Sequence, residues 1–247
     1  MIVNACLRDG RGGSPTTVVP DGDFTDAERQ ALPTRYGTSH AVFIGPGNAL
    51  RFFTSEGELP GCGHGTVAAL AVLAADGQTE FILRAGSRPF AGTAVRTPHG
   101  VEAFFDPGPV QVRAARTAEQ EAVLRALGTE GKGVIATLGR PRMLVEVPSA
   151  DALAALTPDL DLLREVTDEL GLLGCYAYSS GPDRYVARMF APSIGVPEDV
   201  ANANSTACLA AYLTADIAVD MGDSLGQPAT VTATAAGRVG GLAAVTA

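Results

Sequence analysis

Arg51-Phe52-Phe53-Thr54 and Arg188-Met189-Phe190-Ala191 are one short strand pattern written twice, 137 residues apart. The same offset carries Pro60 onto Pro197 and Cys62 onto Asp199. After each proline a short polar turn leads into a run that is apolar on nearly every face, 63–75 in the first half and 201–215 in the second. A helix apolar all round is buried all round. One in each half marks a duplicated strand–loop–buried-helix unit. Two such copies pack about a pseudo-twofold axis, which would bring both helix N-termini to a single cleft.

The segments between fit that plan. Alternating runs predict strands over 2–7, 16–20, 41–44, 50–54, 80–84, 93–97 and 101–105, then over 133–138, 143–147, 173–179, 184–190, 229–233 and 238–245. Weaker helical patterns cover 25–32, 118–127, 150–156 and 160–170. Asp106-Pro107-Gly108-Pro109 stops both strand and helix and is the best linker. The expected division is therefore an N-terminal lobe over 1–107, completed by the last strand 238–247, and a C-terminal lobe over 108–237. The fold class is α+β.

Charge and cysteine usage exclude several functions. A net charge of −9 spread along 247 residues argues against nucleic acid, which needs a basic patch. A small carboxylate is still allowed, because helix N-terminal amides hold anions without any lysine. Lys132 stands alone against seventeen arginines, a bias that reads as GC-rich coding rather than a binding signal. Met1 to Cys6 show no basic segment leading into an apolar run, so no secretory leader is expected. No apolar stretch is long enough to span a membrane. Cys6, Cys62, Cys175 and Cys208 form no C-x-x-C pair, and His40, His64 and His99 lack zinc-ligand spacing. The expectation is a cytoplasmic protein with no metal.

Two segments carry residues fit for chemistry. In Gly61-Cys62-Gly63-His64-Gly65-Thr66 the glycines admit close backbone approach, and the helix that follows points free N–H groups and its positive dipole end at a ligand. A thiol placed there is acidified and able to act as a base. His64 could shuttle a proton near neutrality. The partner segment holds Glu198 and Asp199, then Asn202, Asn204 and Ser205. Read locally it is a helix cap. Read through the repeat, its acids fall where the cysteine falls in the other half, which would supply proton carriers to both faces of a substrate.

These motifs resemble the PhzF family of the diaminopimelate epimerase-like superfamily. Arg51-Phe52-Phe53-Thr54 with Pro60, Cys62, Gly63, His64 and Thr66 is similar to its "R-x-F-T-P…P-x-C/A-G-H-x-T" segment, and Arg188 to Asp199 to its "R-x-F-A-P-x-x-G-I-x-E-D" segment. Gly12-Gly13-Ser14-Pro15 resembles "G-N-P", and Leu153 to Asp159 fits "L-x-x-L-x-P-D". The resemblance implies two pseudo-symmetric lobes, each a β-barrel-like sheet wrapped around a central helix, with the active site between them. It also implies an isomerase with no cofactor, acting on a small molecule, commonly as a homodimer.

The chain departs from that pattern at the site itself. His40 stands where the family carries a glutamate acid/base, and Asn202-Ala203-Asn204 replaces Thr-Gly-Ser, residues that bind substrate in the family. The expected proton carriers are Asp199, with Glu198 beside it, and His40. His64 would be a relay and Cys62 a second base. Gly63, Gly65, Thr66, Asn202, Asn204 and Ser205 would bind substrate. The expected reaction is double-bond migration in a small unsaturated, amino-acid-derived carboxylate of secondary metabolism, and the altered strand is similar to antibiotic-pathway isomerases of the alkylproline type. Two alternatives stay open: an epimerase or racemase using Cys62 and Asp199, and a non-catalytic metabolite-binding member. The second cysteine of a two-thiol racemase would fall at about Val200, so that mechanism is disfavoured.

Overall fold

The computed structural model describes residues 1–246; Ala247, the end of the expected closing segment 238–247, lies outside the described residues. The first half runs β1 (Ile2–Leu7), β2 (Ser14–Pro20), α1 (Asp26–Tyr36), β3 (His40–Gly45), β4 (Ala49–Thr54), β5 (Gly57–Leu59), α2 (Gly63–Leu73), β6 (Glu80–Ala85), β7 (Arg88–Thr97) and β8 (Gly100–Phe105). The second runs β9 (Gln111–Ala114), α3 (Thr117–Leu127), β10 (Lys132–Leu138), β11 (Arg140–Glu146), α4 (Ala150–Ala154), α5 (Leu160–Glu169), β12 (Cys175–Ser180), β13 (Tyr185–Ala191), β14 (Val196–Asp199), α6 (Ala203–Leu213), β15 (Ile217–Met221), β16 (Ala229–Ala233) and β17 (Val239–Thr246).

Strand pairing shows the duplication directly. In the first half β1–β2 is antiparallel, β2–β3 parallel, β3–β4 antiparallel, β4–β6 parallel, and β6–β7 and β7–β8 antiparallel. In the second half β10–β11, β11–β12, β12–β13, β13–β15, β15–β16 and β16–β17 repeat that sequence of directions. β17 pairs with both β8 and β1, so the strands of the first half close into a ring around α2. Parallel neighbours need a crossover. α1 supplies it between β2 and β3, and α4 with α5 between β11 and β12.

Each crossover helix begins on a cap that its sequence dictates. Thr25 and Glu28 form a reciprocal capping box on α1, and Ser149 and Asp159 accept from the first turns of α4 and α5. α1 runs on past Pro33 to Gly37, beyond the 25–32 expected, and stops where Gly37 takes the left-handed conformation at φ 66°. α2 is buried along nearly its whole length, from Gly63 to Ala71. Among the described residues, no helix is long and apolar enough to cross a membrane.

The structure corrects the sequence overlay at one point. Phe52 pairs with Leu59 across β4–β5, and Met189 pairs with Asp199 across β13–β14. Arg51 grips Glu58 through Nε and Nη2, and Arg188 grips Glu198 through the same atoms. Cys62 and Asn202 are the caps that open α2 and α6, and Thr66 and Thr206 donate to their respective carbonyls. The offset is therefore 137 at Arg51 and Arg188 but 140 from Glu58 and Glu198 onward, because the β13–β14 connection carries an extra turn, Pro192–Ile194. Asp199 is the counterpart of Leu59, and the counterpart of Cys62 is Asn202, not Asp199 or Val200.

Candidate active site

The two buried helices meet end to end at the centre of the molecule. A Cβ on Gly63 would lie 2.6 Å from Ala203 Cβ and 3.0 Å from the Asn204 nitrogen, so only glycine allows this approach. A cavity of about 420 Å³ opens beside the junction. Its wall draws His40, Cys62, Gly63, His64 and Thr66 from the first half and Asp199, Asn202 and Asn204 from the second.

His64 occupies the middle of the polar wall. Its Nδ1 lies 2.9 Å from the Ala201 carbonyl, which only an Nδ1–H satisfies, so Nε2 is left facing Cys62 Sγ at 3.5 Å. Asp199 Oδ2 is 3.9 Å from the same Nδ1 and accepts from Asn202 Nδ2 at 2.9 Å. The other oxygen, Asp199 Oδ1, is buried with no hydrogen-bond partner among the described residues. His40 projects from the start of β3, ring edge to face with His64 at 4.4 Å between centroids, with Nδ1 held by Ser39 Oγ at 2.8 Å. His40, His64 and Asp199 thus form a chain of three titratable groups across the junction.

Burial shifts these groups in different directions. It raises the Asp199 carboxyl above its ordinary range, against the lowering by His64, Asn202 and the Ala201 backbone. It holds the His40 imidazole well below its ordinary value, reinforced by the neighbouring His64, so that ring is neutral. For His64 burial also acts downward, but the charges of Cys62 and Asp199, with hydrogen bonds to Cys62 and the Ala201 carbonyl, carry it up to about 9. Such divergent perturbation in one cleft is a mark of proton-transfer sites.

Three arginines line the cavity that the sequence reading set aside as codon bias: Arg88, Arg140 and Arg142. Arg142 is 1 % exposed, donates from Nη2 to the Leu138 and Arg140 carbonyls and from Nη1 to Ser205 Oγ, and leaves Nε without a partner. A buried cation with a free N–H is suited to an anionic ligand. No local signal marks this, because a charged residue inside a strand looks the same whichever face it takes.

The remaining candidates sort clearly. Glu198, expected as a proton carrier beside Asp199, points the other way: both its oxygens engage Arg188 at 2.8–2.9 Å, Ser224 also donates to it, and it is absent from the cavity wall. Adjacent strand residues face opposite sides, which separates Glu198 from Asp199. Gly65 and Ser205 stand behind the wall, Gly65 against Cys62 and Phe52, and Ser205 on Arg142 and the Asn202 cap. Cys6, Cys175 and Cys208 are fully buried in the core and do not line the cavity, and His99 sits in the exposed β7–β8 turn. Although zinc-ligand spacing is missing from the sequence, the folded chain brings ligand atoms of His40, Cys62 and His64 within 4.8 Å of one another.

Comparison with known proteins fits this geometry. The chain is 28% identical to trans-2,3-dihydro-3-hydroxyanthranilate isomerase of Pseudomonas fluorescens over 96% of its length and 90% of that protein. It is 27% identical to an uncharacterized isomerase of Clostridium acetobutylicum, covering 81% of this chain and 74% of the relative. A structure described as a predicted epimerase from Pseudomonas aeruginosa superposes with a TM-score of 0.85 at 25% identity, covering 100% and 96% of the two chains. The Bacillus anthracis phenazine biosynthesis protein of the PhzF family gives 0.82 at 17% identity, covering 98% and 95%. Residues 4–245 match the phenazine biosynthesis-like protein family, PhzC-PhzF, and the chain belongs to that family and is an isomerase.

Proposed function

We propose that the chain shifts a proton between two carbons of a small unsaturated carboxylate derived from an amino acid, using Asp199 and His40 as the proton carriers and no organic cofactor. The observation that carries this reading is the line His40–His64–Asp199, with Asp199 Oδ1 buried and unpartnered at one end and the neutral His40 imidazole at the other. One group accepts the proton next to the substrate carboxylate, leaving a delocalised carbanion, and the other returns a proton at the far end of the conjugated system. His64, in contact with both, passes the proton between them and resets the pair. Arg142, with Arg88 and Arg140, neutralises the carboxylate, and the free amides of the α2 and α6 N-termini stabilise the charge that grows on it. A pyrroline carboxylate with an unsaturated side chain belongs to this class, and antibiotic biosynthesis would be its setting.

A panel of unsaturated cyclic amino acids incubated in D₂O tests this by NMR. Deuterium should enter at the α and γ carbons, and Asp199→Asn and His40→Ala should each stop it. Absence of exchange across the panel sinks the reading. The contact of Cys62 with His64 favours a second one, epimerisation through Cys62 and Asp199. Full activity after complete alkylation of Cys62 would exclude it.

A further inference from the structure

We propose that His40, Cys62 and His64 together bind a thiophilic divalent cation such as Zn²⁺, with its fourth position open to the cavity. Zinc takes thiolate at about 2.3 Å and imidazole at about 2.0–2.1 Å in tetrahedral geometry, which sets sulfur and nitrogen about 3.6 Å apart on the metal. Cys62 Sγ and His64 Nε2 are 3.5 Å apart, and the three ligand atoms all lie within 4.8 Å of one another.

The second observation is that both rings are already oriented as metal ligands are. A ligating histidine has its other nitrogen fixed by an outer hydrogen bond. His40 Nδ1 is held by Ser39 Oγ at 2.8 Å and His64 Nδ1 by the Ala201 carbonyl at 2.9 Å, so each presents Nε2. Asp199, 3.9 Å beyond His64 Nδ1, adds the outer carboxylate. The ligands come from β3 and the start of α2, which hold them close enough for side-chain adjustment alone to bring the set to tetrahedral spacing.

Binding releases to solvent the protons held on Cys62 Sγ and on His64 Nε2, leaving a thiolate and two neutral imidazoles on a metal that keeps its oxidation state. The loaded site occupies the Nε2 lone pairs of His40 and His64, so metal binding and proton transfer exclude one another. The proposal needs no substrate for its test, and its failure leaves the isomerase reading standing.

The reduced, chelator-stripped protein is titrated anaerobically with Co²⁺. One equivalent per chain should produce a thiolate-to-cobalt charge-transfer band and tetrahedral d–d bands, both bleached by Zn²⁺. Cys62→Ser should remove the charge-transfer band, His40→Gln should weaken binding at least about tenfold, and His99→Ala should change nothing. In the unmodified protein Zn²⁺ should slow alkylation of Cys62, followed by mass spectrometry, which keeps the test independent of how the variants fold. No charge-transfer band in the reduced protein, a band that survives Cys62→Ser, unchanged affinity in His40→Gln, or an alkylation rate indifferent to Zn²⁺ would each overturn the proposal.

Discussion

His64 donates its Nδ1–H to the carbonyl of Ala201 at 2.9 Å, so the histidine at the start of one buried helix is anchored by the backbone that leads into the other. Against burial, which lowers it, the charges of Cys62 and Asp199, helped by the bonds to Cys62 and to the Ala201 carbonyl, raise His64 to about 9 in the folded chain from an ordinary 6.5. A raised histidine stabilises the fold fully below its unfolded pKa, and that contribution is lost as pH climbs through the folded value. Unfolding free energy measured in urea should therefore fall between pH 6.5 and 9, by at most roughly 3 kcal/mol. His64→Gln should flatten that window; an unchanged slope would contradict the assignment.

Asp199 should be costly to stability and necessary to activity. Burial raises its carboxyl, so the folded state prefers the proton and loses stability as pH rises past the unfolded value of 3.8. Asp199→Asn should lower kcat by about 10²–10⁴ while leaving the melting temperature equal or higher at neutral pH. A variant both inactive and strongly destabilised would mark Asp199 as structural.

The paired hairpins predict unequal consequences for equivalent residues. Side-chain exposure is 13 % and 11 % for Arg188 and Glu198, against 32 % and 42 % for Arg51 and Glu58. Arg188 and Glu198 are the more shielded pair, and losing a hydrogen bond to a charged group costs about 1.5–3 kcal/mol, the expected loss in Glu198→Ala. Glu58→Ala should cost about 1 kcal/mol or less. Neither should abolish turnover; Glu198→Ala should only move the Asp199 limb of the pH profile downward, because the Glu198 charge helps to raise that carboxyl, and loss of turnover in Glu198→Ala would return that residue to the chemistry.

Gly63 and Ala203 should behave as a coupled pair. Gly63→Ala places a methyl within 2.6 Å of Ala203 Cβ, and overpacking of this kind costs about 1–3 kcal/mol. Adding Ala203→Gly should recover most of the stability and activity, giving a coupling energy in a double-mutant cycle. Additive losses would mean that the two helix starts do not determine each other's position.

The duplicated architecture was legible because 51–54 and 188–191 repeat a pattern before a second repeated feature, an all-apolar helix. The exact correspondence was not, because it depends on the three-residue turn Pro192–Ile194 inside one hairpin. β5 and β14 escaped notice for a related reason. They are three and four residues long, carry Gly, Pro and Glu, and are held by pairing with β4 and β13. β15 does alternate, Ile217, Val219 and Met221 inward, but it is five residues long and begins just past the expected helix 201–215, and no expected strand covers it. His40, Cys62, His64 and Asp199 were found through neighbouring glycines, the repeat and the family motifs. Arg142 was not, since its role comes entirely from burial and a free Nε.

The central claim is that His40 and Asp199, reached from opposite halves, move one proton between carbons of a bound carboxylate. Deuterium incorporation from D₂O, followed carbon by carbon by NMR in the wild type, His40→Ala and Asp199→Asn, tests it most directly. Label is expected at both the α and γ carbons in the wild type and at neither in the two variants. Label that persists at both carbons in either variant would contradict it.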